Sequence, residues 1–276
     1  MDEPFKSMLV GNISGKRIVR SMILVPIVAA IGFILIAIFF SDRLIFMPPP
    51  SSYKDEAKAV KIEVSDTETI SAQFFENSQA RYTVLFSHGN AEDIGHIEPF
   101  VQRLRELGLN VLVYDYRGYG TSGGSASEAN AYSDIDAAYR YLVDKKKTRP
   151  ENIILQGRSL GGAISVDLAS REPVGGLIIE STFTSAFRVI TRYPILPFDK
   201  FKSIEKIKRV NCPTLVIHGT EDSTIPLYHG EELFEAANEP KYSNWVEGAE
   251  HNNVYDRDKN GYLDSISKFI ATLPAD

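Results

Sequence analysis

The chain has 276 residues, of which 43% are hydrophobic and 24% charged, and its formal net charge at pH 7 is −6. This length and composition suit one sizeable folded domain with a short appendage. The acidic balance, without a stripe of Lys and Arg interleaved with aromatic residues, argues against nucleic acid as a partner. The single cysteine, Cys212, excludes an internal disulfide and a cysteine-based metal cage.

An apolar run near the N-terminus predicts a transmembrane helix. Residues 22–40 contain no charged side chain, and at about 1.5 Å per residue a helix of this length covers the roughly 30 Å hydrocarbon core of a bilayer. Neither an A-x-A-like cleavage site nor a lipobox cysteine follows, so a retained signal anchor is favoured over a cleaved signal peptide. The predicted organisation is a tail at 1–21, the anchor at 22–40, a linker at 41–58 and a folded domain at 59–276.

The cations that flank the apolar run favour one orientation in the membrane. They are Lys6, Lys16, Arg17 and Arg20 on the N-terminal side and Arg43 and Lys54 on the other side. Because the more cationic flank tends to stay in the cytoplasm, we expect a single-pass protein whose folded domain lies on the non-cytoplasmic side.

The folded domain alternates between strand-like and helix-like patterns. Segments at 60–64 and 70–75 alternate in polarity and predict an antiparallel hairpin. Later strands do not alternate in polarity and are predicted at 83–86, 111–114, 153–155, 175–180, 214–218 and 242–246, with helical patterns between them and after the last. The pattern predicts an α/β fold with a mostly parallel sheet of about eight strands and helices on both faces.

The clearest chemical motif lies at 152–163. The strand at 153–155 runs into Gly-x-Ser-x-Gly, formed by Gly157, Ser159 and Gly161, and then into small residues that suit a packed helix. This pattern is typical of a nucleophile elbow, in which the serine sits on a strained turn and a Cβ at either glycine would strike neighbouring backbone. The N-terminus of the following helix favours developing negative charge.

Two further polar residues follow later strands. Asp222 comes after one apolar strand and His251 after the next. In a parallel sheet such positions meet Ser159 beyond the carboxyl ends of the strands, and the order Ser, Asp, His is that of the α/β-hydrolase layout. These residue types suit hydrolysis because a histidine takes the serine proton and a carboxylate orients the histidine. Glu221 remains an alternative to Asp222 as the acid.

Other polar residues of the domain receive structural interpretations. His88 and His218 each precede a glycine at a strand end and are expected to be structural, whereas His229 falls on a predicted helix and is expected to be solvated. Asp115 also ends a strand but precedes the serine motif, so we expect it to brace a loop, with Arg117 as a candidate partner.

Short motifs spread along the domain carry a resemblance to a known family. They are LFSHGNAED, YDYRGYGTSGG, GRSLGG, LVIHGTED and EGAEHN. From about Phe46 to Leu273 the chain resembles an α/β-hydrolase, and the motifs closely resemble those of membrane-associated serine hydrolases related to the protein depalmitoylating thioesterases. The chain differs from the depalmitoylases in one respect. Those carry a cysteine-rich N-terminus for lipid attachment, whereas no cysteine precedes Cys212 here, and the predicted anchor takes its place.

The resemblance implies a role for each motif residue. These are Ser159 as nucleophile, His251 as base, Asp222 as orienting acid, and the backbone N–H groups of Asn90 and Leu160 as oxyanion donors. We expect no cofactor.

A short stretch between Ser181 and Val210 stands where relatives insert lids. Its apolar, kinked part holds the candidate substrate-binding residues Tyr193, Ile195, Leu196 and Phe198. We expect this short lid either to shelter an acyl chain or to plug the core.

Residues 256–264 copy the first nine positions of a calcium loop. Ser267 stands where the bidentate glutamate is expected, so we interpret the segment as a polar turn capping the last helix and expect no metal site.

The sequence as a whole predicts a membrane-anchored serine hydrolase of ester or thioester bonds, acting on a small-molecule or lipid-acylated substrate. Two alternatives remain: a non-catalytic membrane-tethered binding protein of the same fold, and a peptidase-type serine hydrolase.

Overall fold

The apolar N-terminal run lies in one long helix, α1, which spans Gly15–Ile45. The computed structural model describes residues 15–54, 59–194 and 196–274. In this part of the chain, α1 is the one helix long and apolar enough to cross a membrane by length and composition. It exceeds the apolar run at both ends, so residues 41–45, predicted as linker, are helical. Contacts divide the chain into two units between Leu44 and Ile45.

One eight-stranded sheet forms the centre of the second unit. Its strands are β1 (Ala59–Glu63), β2 (Thr69–Phe75), β3 (Thr83–Ser87), β4 (Asn110–Tyr114), β5 (Ile153–Arg158), β6 (Gly176–Glu180), β7 (Thr214–Gly219) and β8 (Lys241–Val246). Their spatial order is β1-β2-β4-β3-β5-β6-β7-β8. The pairs β1–β2 and β2–β4 are antiparallel and the others are parallel. The predicted mostly parallel sheet, with an antiparallel hairpin at its start, is confirmed.

Helices cover both faces of the sheet, as predicted. They are α2 (Ile94–Glu106), α3 (Glu128–Arg140), α4 (Leu160–Ala169), α5 (Ser203–Lys206), α6 (Tyr228–Ala236), α7 (Val254–Arg257) and α8 (Lys259–Thr272). One hydrophobic core contains side chains of α3, α4 and α6, and a second contains side chains of α2 and α8. Successive strand residues face opposite sides, so Leu85 joins the first core while Val84 and Phe86 join the second.

Asp115 braces a loop, but the proposed pairing with Arg117 is wrong. The Asp115 carboxylate accepts hydrogen bonds from the Ile94 N–H at 2.9 Å and from the Tyr53 hydroxyl. Arg117 instead pairs with Asp134, with 2.7 Å between Nε and Oδ1. The two residues are close in sequence, yet Asp115 is held at the start of α2 and Arg117 by a carboxylate of α3.

His229 is fully buried, so its predicted exposure is wrong. Helix α6 packs closely on β7 here, since a Cβ on the next residue, Gly230, would lie 2.7 Å from Nδ1 of His218. The Nδ1 atom of His229 lies 3.0 Å from the Thr184 hydroxyl. Burial, assisted by the positive charge of Arg188, lowers the pKa of His229 to about 4.

We expect the protein to lose stability on mild acidification through His229. The unfolded chain takes up this proton near the ordinary histidine pKa of about 6.5, whereas the folded state takes it up only at about 4. Between these values the unfolded state binds more protons, so stability falls as the pH is lowered. From about pH 7 to about pH 4.5, His229→Gln should therefore lose less of its urea unfolding midpoint than the wild type. Equal losses would contradict this role of His229.

Candidate active site

Ser159 occupies a strained turn between β5 and α4. Its backbone has φ 53° and ψ −117°, and a positive φ is uncommon for a residue other than glycine. Two hydrogen bonds hold the turn to the chain at the end of β6. The Ser159 N–H donates to the Glu180 carbonyl at 2.8 Å, and the Thr182 hydroxyl donates to the Ser159 carbonyl at 2.7 Å. The neighbouring strand therefore fixes the strained backbone of the serine.

The two glycines of the motif are required by space. A Cβ on Gly157 would lie 2.2 Å from the Gly161 carbonyl oxygen, and a Cβ on Gly161 would lie 2.0 Å from the Ser87 carbonyl oxygen. The obstructing atoms belong to the backbone, so relief would require moving β3 or α4 as a whole. The close approach of strand and helix that the motif predicts is present.

Two hydrogen bonds join the three residues of the predicted triad. Nε2 of His251 lies 3.1 Å from Oγ of Ser159, and Nδ1 lies 2.7 Å from Oδ2 of Asp222. Because an ionised carboxylate only accepts, Nδ1 carries the proton and Nε2 accepts from the serine hydroxyl. The three residues follow β5, β7 and β8, which run parallel and end at the same edge of the sheet.

Asp222 is held as a buried carboxylate. Its Oδ1 atom accepts hydrogen bonds from the N–H groups of Thr224 at 3.0 Å and Ile225 at 2.7 Å. Burial opposes ionisation, but the hydrogen bonds from His251 and Ile225 outweigh it and lower the pKa of Asp222 below its ordinary value. The alternative acid, Glu221, is exposed. Asp222 is therefore the carboxylate that meets the histidine.

His218 and His88 are both fully buried. Nε2 of His218 donates to the Ile225 carbonyl at 2.8 Å, a contact that steadies the loop carrying the acid. The ring of His88 packs against Tyr116 with 4.3 Å between centroids, and its Nδ1 donates to the Gly89 carbonyl at 2.8 Å. These contacts agree with the structural interpretation of both histidines.

The two predicted oxyanion donors belong to the serine turn and to a separate loop. Leu160 is the first residue of α4, and Asn90 lies in the loop between β3 and α2. Among the described residues, neither backbone N–H donates a hydrogen bond to a protein acceptor. Free N–H groups at a helix N-terminus favour negative charge. Their catalytic role stays a prediction.

Arg158, to which the sequence patterns assign no role, connects two loops of the site to the end of β5. Its guanidinium donates to Oε1 of Glu92 at 2.8 Å and to Oδ1 of Asn252 at 2.9 Å. Oε2 of Glu92 in turn accepts from the Gly89 N–H at 3.0 Å, beside the predicted oxyanion donor. Asn252 directly follows the triad histidine. The partners of Arg158 lie 66 and 94 residues away in sequence, so no local pattern indicates them.

A buried carboxylate lies behind the serine turn. Oε2 of Glu180 accepts a hydrogen bond from the Tyr262 hydroxyl at 2.5 Å, and its Oε1 lies 3.8 Å from Nε of Arg158. Burial raises the pKa of Glu180, and the charge of Arg158 opposes the rise. Glu180 and Arg158 also line a cavity of 570 Å³. The apolar wall of this cavity includes Phe86, Phe100 and Tyr255.

The predicted substrate-binding residues are only partly placed. Tyr193 is 72% exposed, so it does not plug the core. Leu196 and Phe198 are half-buried, and the Phe198 ring packs edge-on against Phe187 at 5.9 Å. Ile195 lies outside the described residues. A role for this segment in substrate binding stays a prediction.

Asp258 caps the last helix, as interpreted, but residues 259–264, predicted as part of a polar turn, are already the first turns of that helix. Oδ1 of Asp258 accepts from the Gly261 N–H at 3.0 Å at the N-terminus of α8. The other two carboxylates of the motif pair with lysines: Asp256 with Lys259 and Asp264 with Lys268. In the part of the chain that the structure describes, no group of three or more His, Cys, Asp or Glu is placed to hold a metal ion.

Comparisons with known proteins identify the family. Residues 78–203 match the family described as serine aminopeptidase, S33. The human alpha/beta hydrolase domain-containing protein 17B is 40% identical over 229 residues, which cover 80% of this chain and 77% of that protein. The chain belongs to the alpha/beta hydrolase domain-containing protein 17 family. The Xenopus laevis 17B protein is 44% identical over 199 residues, covering 70% of this chain and 67% of that protein.

Solved structures support the fold assigned to this member of the family. The Pyrococcus furiosus esterase Pf2001 superposes with a TM-score of 0.70 at 19% identity, over 82% of this chain and 99% of that one. At this identity the likeness shows the fold alone. The resemblance found in the motifs, and the α/β-hydrolase fold that it implies, are confirmed.

We expect removal of the Arg158 guanidinium to disconnect the loops of the site. Met at position 158 keeps the apolar stem, so Arg158→Met should speed amide hydrogen exchange around Gly89 and Asn252 by about tenfold or more, because a charged hydrogen bond contributes roughly 1.5–3 kcal/mol. Arg158→Lys keeps the charge but lacks the fork that reaches two acceptors, so its effect should be intermediate. A uniform rise across the whole domain would instead mean that Arg158 only stabilises the fold.

Proposed function

We propose that the protein is a membrane-anchored serine hydrolase that cleaves carboxylic ester or thioester bonds. The observation that carries this proposal is the hydrogen-bonded chain from Oγ of Ser159 through His251 to Asp222, built on a strained turn at the edge of the sheet. Membership in a hydrolase family supports hydrolysis in general, and this geometry supports serine chemistry in particular.

In the proposed first step, Oγ of Ser159 attacks the acyl carbonyl carbon while its proton passes to Nε2 of His251. The Asp222 carboxylate, 2.7 Å from Nδ1, stabilises the imidazolium that forms. The carbonyl oxygen becomes an oxyanion between the N–H groups of Asn90 and Leu160, each of which contributes about 3 kcal/mol in sites of this kind. The imidazolium then protonates the leaving alcohol or thiol, and an acyl-serine remains.

The second half of the proposed reaction regenerates the enzyme. A water molecule gives a proton to Nε2 of His251 and attacks the acyl carbon. Collapse of the second tetrahedral intermediate returns the proton to Oγ of Ser159 and releases the carboxylic acid. The same two backbone donors stabilise both oxyanions, and no step calls for a cofactor.

Several features support an acyl substrate presented at a bilayer. Within Val19–Ile45, helix α1 is long and apolar enough to cross a membrane, which suits a membrane anchor. The short lid leaves little material for a peptide-binding domain, and it contributes apolar side chains such as Leu196 and Phe198. The resemblance to depalmitoylating thioesterases favours a lipid-borne thioester or ester. The non-cytoplasmic orientation stays a prediction from the flanking cations.

We expect Ser159→Ala to lower hydrolysis of p-nitrophenyl butyrate by the full-length protein by at least about 10⁴-fold, because no other group replaces the nucleophile. The variant should unfold at the same urea concentration as the wild type. A fluorophosphonate probe should label the wild type and not the variant, since only an activated serine reacts. Unchanged turnover, or an unlabelled wild type, would favour the non-catalytic binding protein.

Acyl-chain preference is the second expectation about function. In detergent micelles, we expect the protein to hydrolyse a palmitoyl thioester at least as efficiently, in kcat/KM, as p-nitrophenyl butyrate. Apolar burial of the longer chain is the physical reason, at about 0.8 kcal/mol per buried methylene. Activity confined to chains of about four carbons would indicate a small-ester esterase, and cleavage of amino-acid p-nitroanilides alone would favour the peptidase alternative.

A further inference from the structure

We propose that residues 45–54, here called the strap, position the loop that carries Asn90. This loop, residues 88–93 between β3 and α2, is here called the oxyanion loop, and the strap acts on it through the Asn90 side chain. The strap begins at Ile45, the last residue of α1, and precedes the first strand of the sheet. The inference rests on the proposed function, since it concerns the backbone N–H that would serve as an oxyanion donor. It makes Asn90 a positioning residue through its side chain as well as a donor through its backbone.

The amide group of Asn90 is bound by the strap on both of its polar atoms. Nδ2 donates to the Ile45 carbonyl at 2.5 Å, and Oδ1 accepts from the Met47 N–H at 2.9 Å. A carbonyl can only accept and an N–H can only donate, so these two partners fix which way the amide faces. The Tyr119 hydroxyl reinforces the arrangement, because it donates to the same Oδ1 at 2.5 Å.

The strap is held near both of its own ends. At one end, Phe46 is 5% exposed and packs its ring against Tyr119 and Phe201, with centroids 6.4 and 5.9 Å away. At the other end, the Ser52 N–H donates at 2.7 Å to Oδ2 of Asp93, the residue that caps the N-terminus of α2. The strap therefore braces the oxyanion loop at Asn90 and again where the loop enters α2.

Between these contacts the strap is stiff. Residues 48–50 are all proline, so they have no N–H groups to satisfy and favour an extended backbone. This segment can span the distance between its two attachment points without secondary structure of its own. The donors that the strap offers to the loop are consequently the N–H groups on either side of the prolines.

The oxyanion loop needs such a brace because its own backbone is strained. Ala91 has a positive φ of 58°, which is unfavourable for a residue with a Cβ. Oδ1 of Asn90 also accepts from the Ala91 N–H at 3.1 Å, so the bound amide holds the strained turn. Without the strap contacts, the side-chain amide of Asn90 could rotate. The backbone N–H of Asn90 would then no longer be held in one direction. An oxyanion donor acts only when it is aimed in advance.

Substitutions at position 47 test this proposal in the full-length protein. The Met47 side chain is 59% exposed, so Met47→Ala keeps the N–H and loses little packing, whereas Met47→Pro removes the N–H. Relative to Met47→Ala, we expect Met47→Pro to lower kcat for p-nitrophenyl butyrate by about 10- to 100-fold, part of the roughly 10²- to 10³-fold cost of losing an oxyanion donor. KM should change by less than about twofold, because the contact acts mainly in the transition state.

Asn90→Ala approaches the same contact from the loop, since it removes the amide and keeps the backbone donor. We expect a loss of kcat at least as large, and no further loss when Met47→Pro is added, because Asn90→Ala already removes the acceptor of the Met47 N–H. The inhibition constant of a trifluoromethyl ketone, whose hemiketal oxygen occupies an oxyanion site, should rise by the factor by which kcat falls. Unchanged kcat in both variants, or fully additive losses, would overturn the proposal.

Hydrogen exchange separates this proposal from the proposed function. If the wild type neither hydrolyses esters nor reacts with a fluorophosphonate, the proposed function fails. Amide exchange across residues 88–93 then still reports on the strap, because faster exchange in Met47→Pro than in Met47→Ala supports the brace and equal rates overturn it.

Discussion

The positive φ of Ser159 is the constraint on which the candidate active site depends. A serine does not hold this backbone conformation unaided, so the surrounding structure must supply the energy. Part of that energy comes from the contacts with Glu180 and Thr182 at the end of β6, and part from the close packing of α4 on β5 that Gly157 and Gly161 permit. The strained turn fixes the position of Oγ of Ser159. His251 and the predicted oxyanion donors must be placed to match that position.

Each loop around Ser159 is attached to the turn or to its neighbours by polar side chains. Arg158 binds Glu92 of the oxyanion loop and Asn252 of the loop that carries His251. Asn90 connects the oxyanion loop to the strap. Loops are the parts of a fold that move most easily, so a site built from three of them needs such connections to keep its geometry. The side chains that hold the loops in place are therefore not members of the predicted triad.

The sequence allows the fold and the central residues to be predicted because their signals are local. Eight apolar or alternating segments match the eight strands within a few residues, and Ser159, Asp222 and His251 follow strands that share one edge of the sheet. Asp222 could be preferred over Glu221 from motif resemblance, and the structure gives the physical reason, since Glu221 is exposed.

The features that escape prediction depend on contacts between residues far apart in sequence. The burial of His229 follows from how α6 packs on β7, which no helical pattern reveals. Arg158 and its acceptor Asn252 are separated by 94 residues, and Asn90 and Ile45 by 45. A segment rich in proline suggests a linker by composition, so its docking onto the oxyanion loop is invisible until the fold is known.

The two buried carboxylates near the serine show how the surroundings shift the pKa of the same chemical group in opposite directions. Asp222 receives two backbone N–H groups and the His251 N–H, and these hydrogen bonds keep its pKa low despite burial. Glu180 receives the Tyr262 hydroxyl and a more distant Arg158, so burial dominates and its pKa rises. The lowered pKa keeps Asp222 ionised as the acceptor of the His251 Nδ1–H. Arg158 consequently has a second effect beside joining the loops, because its positive charge opposes the rise in the pKa of Glu180, the residue whose carbonyl binds the Ser159 N–H.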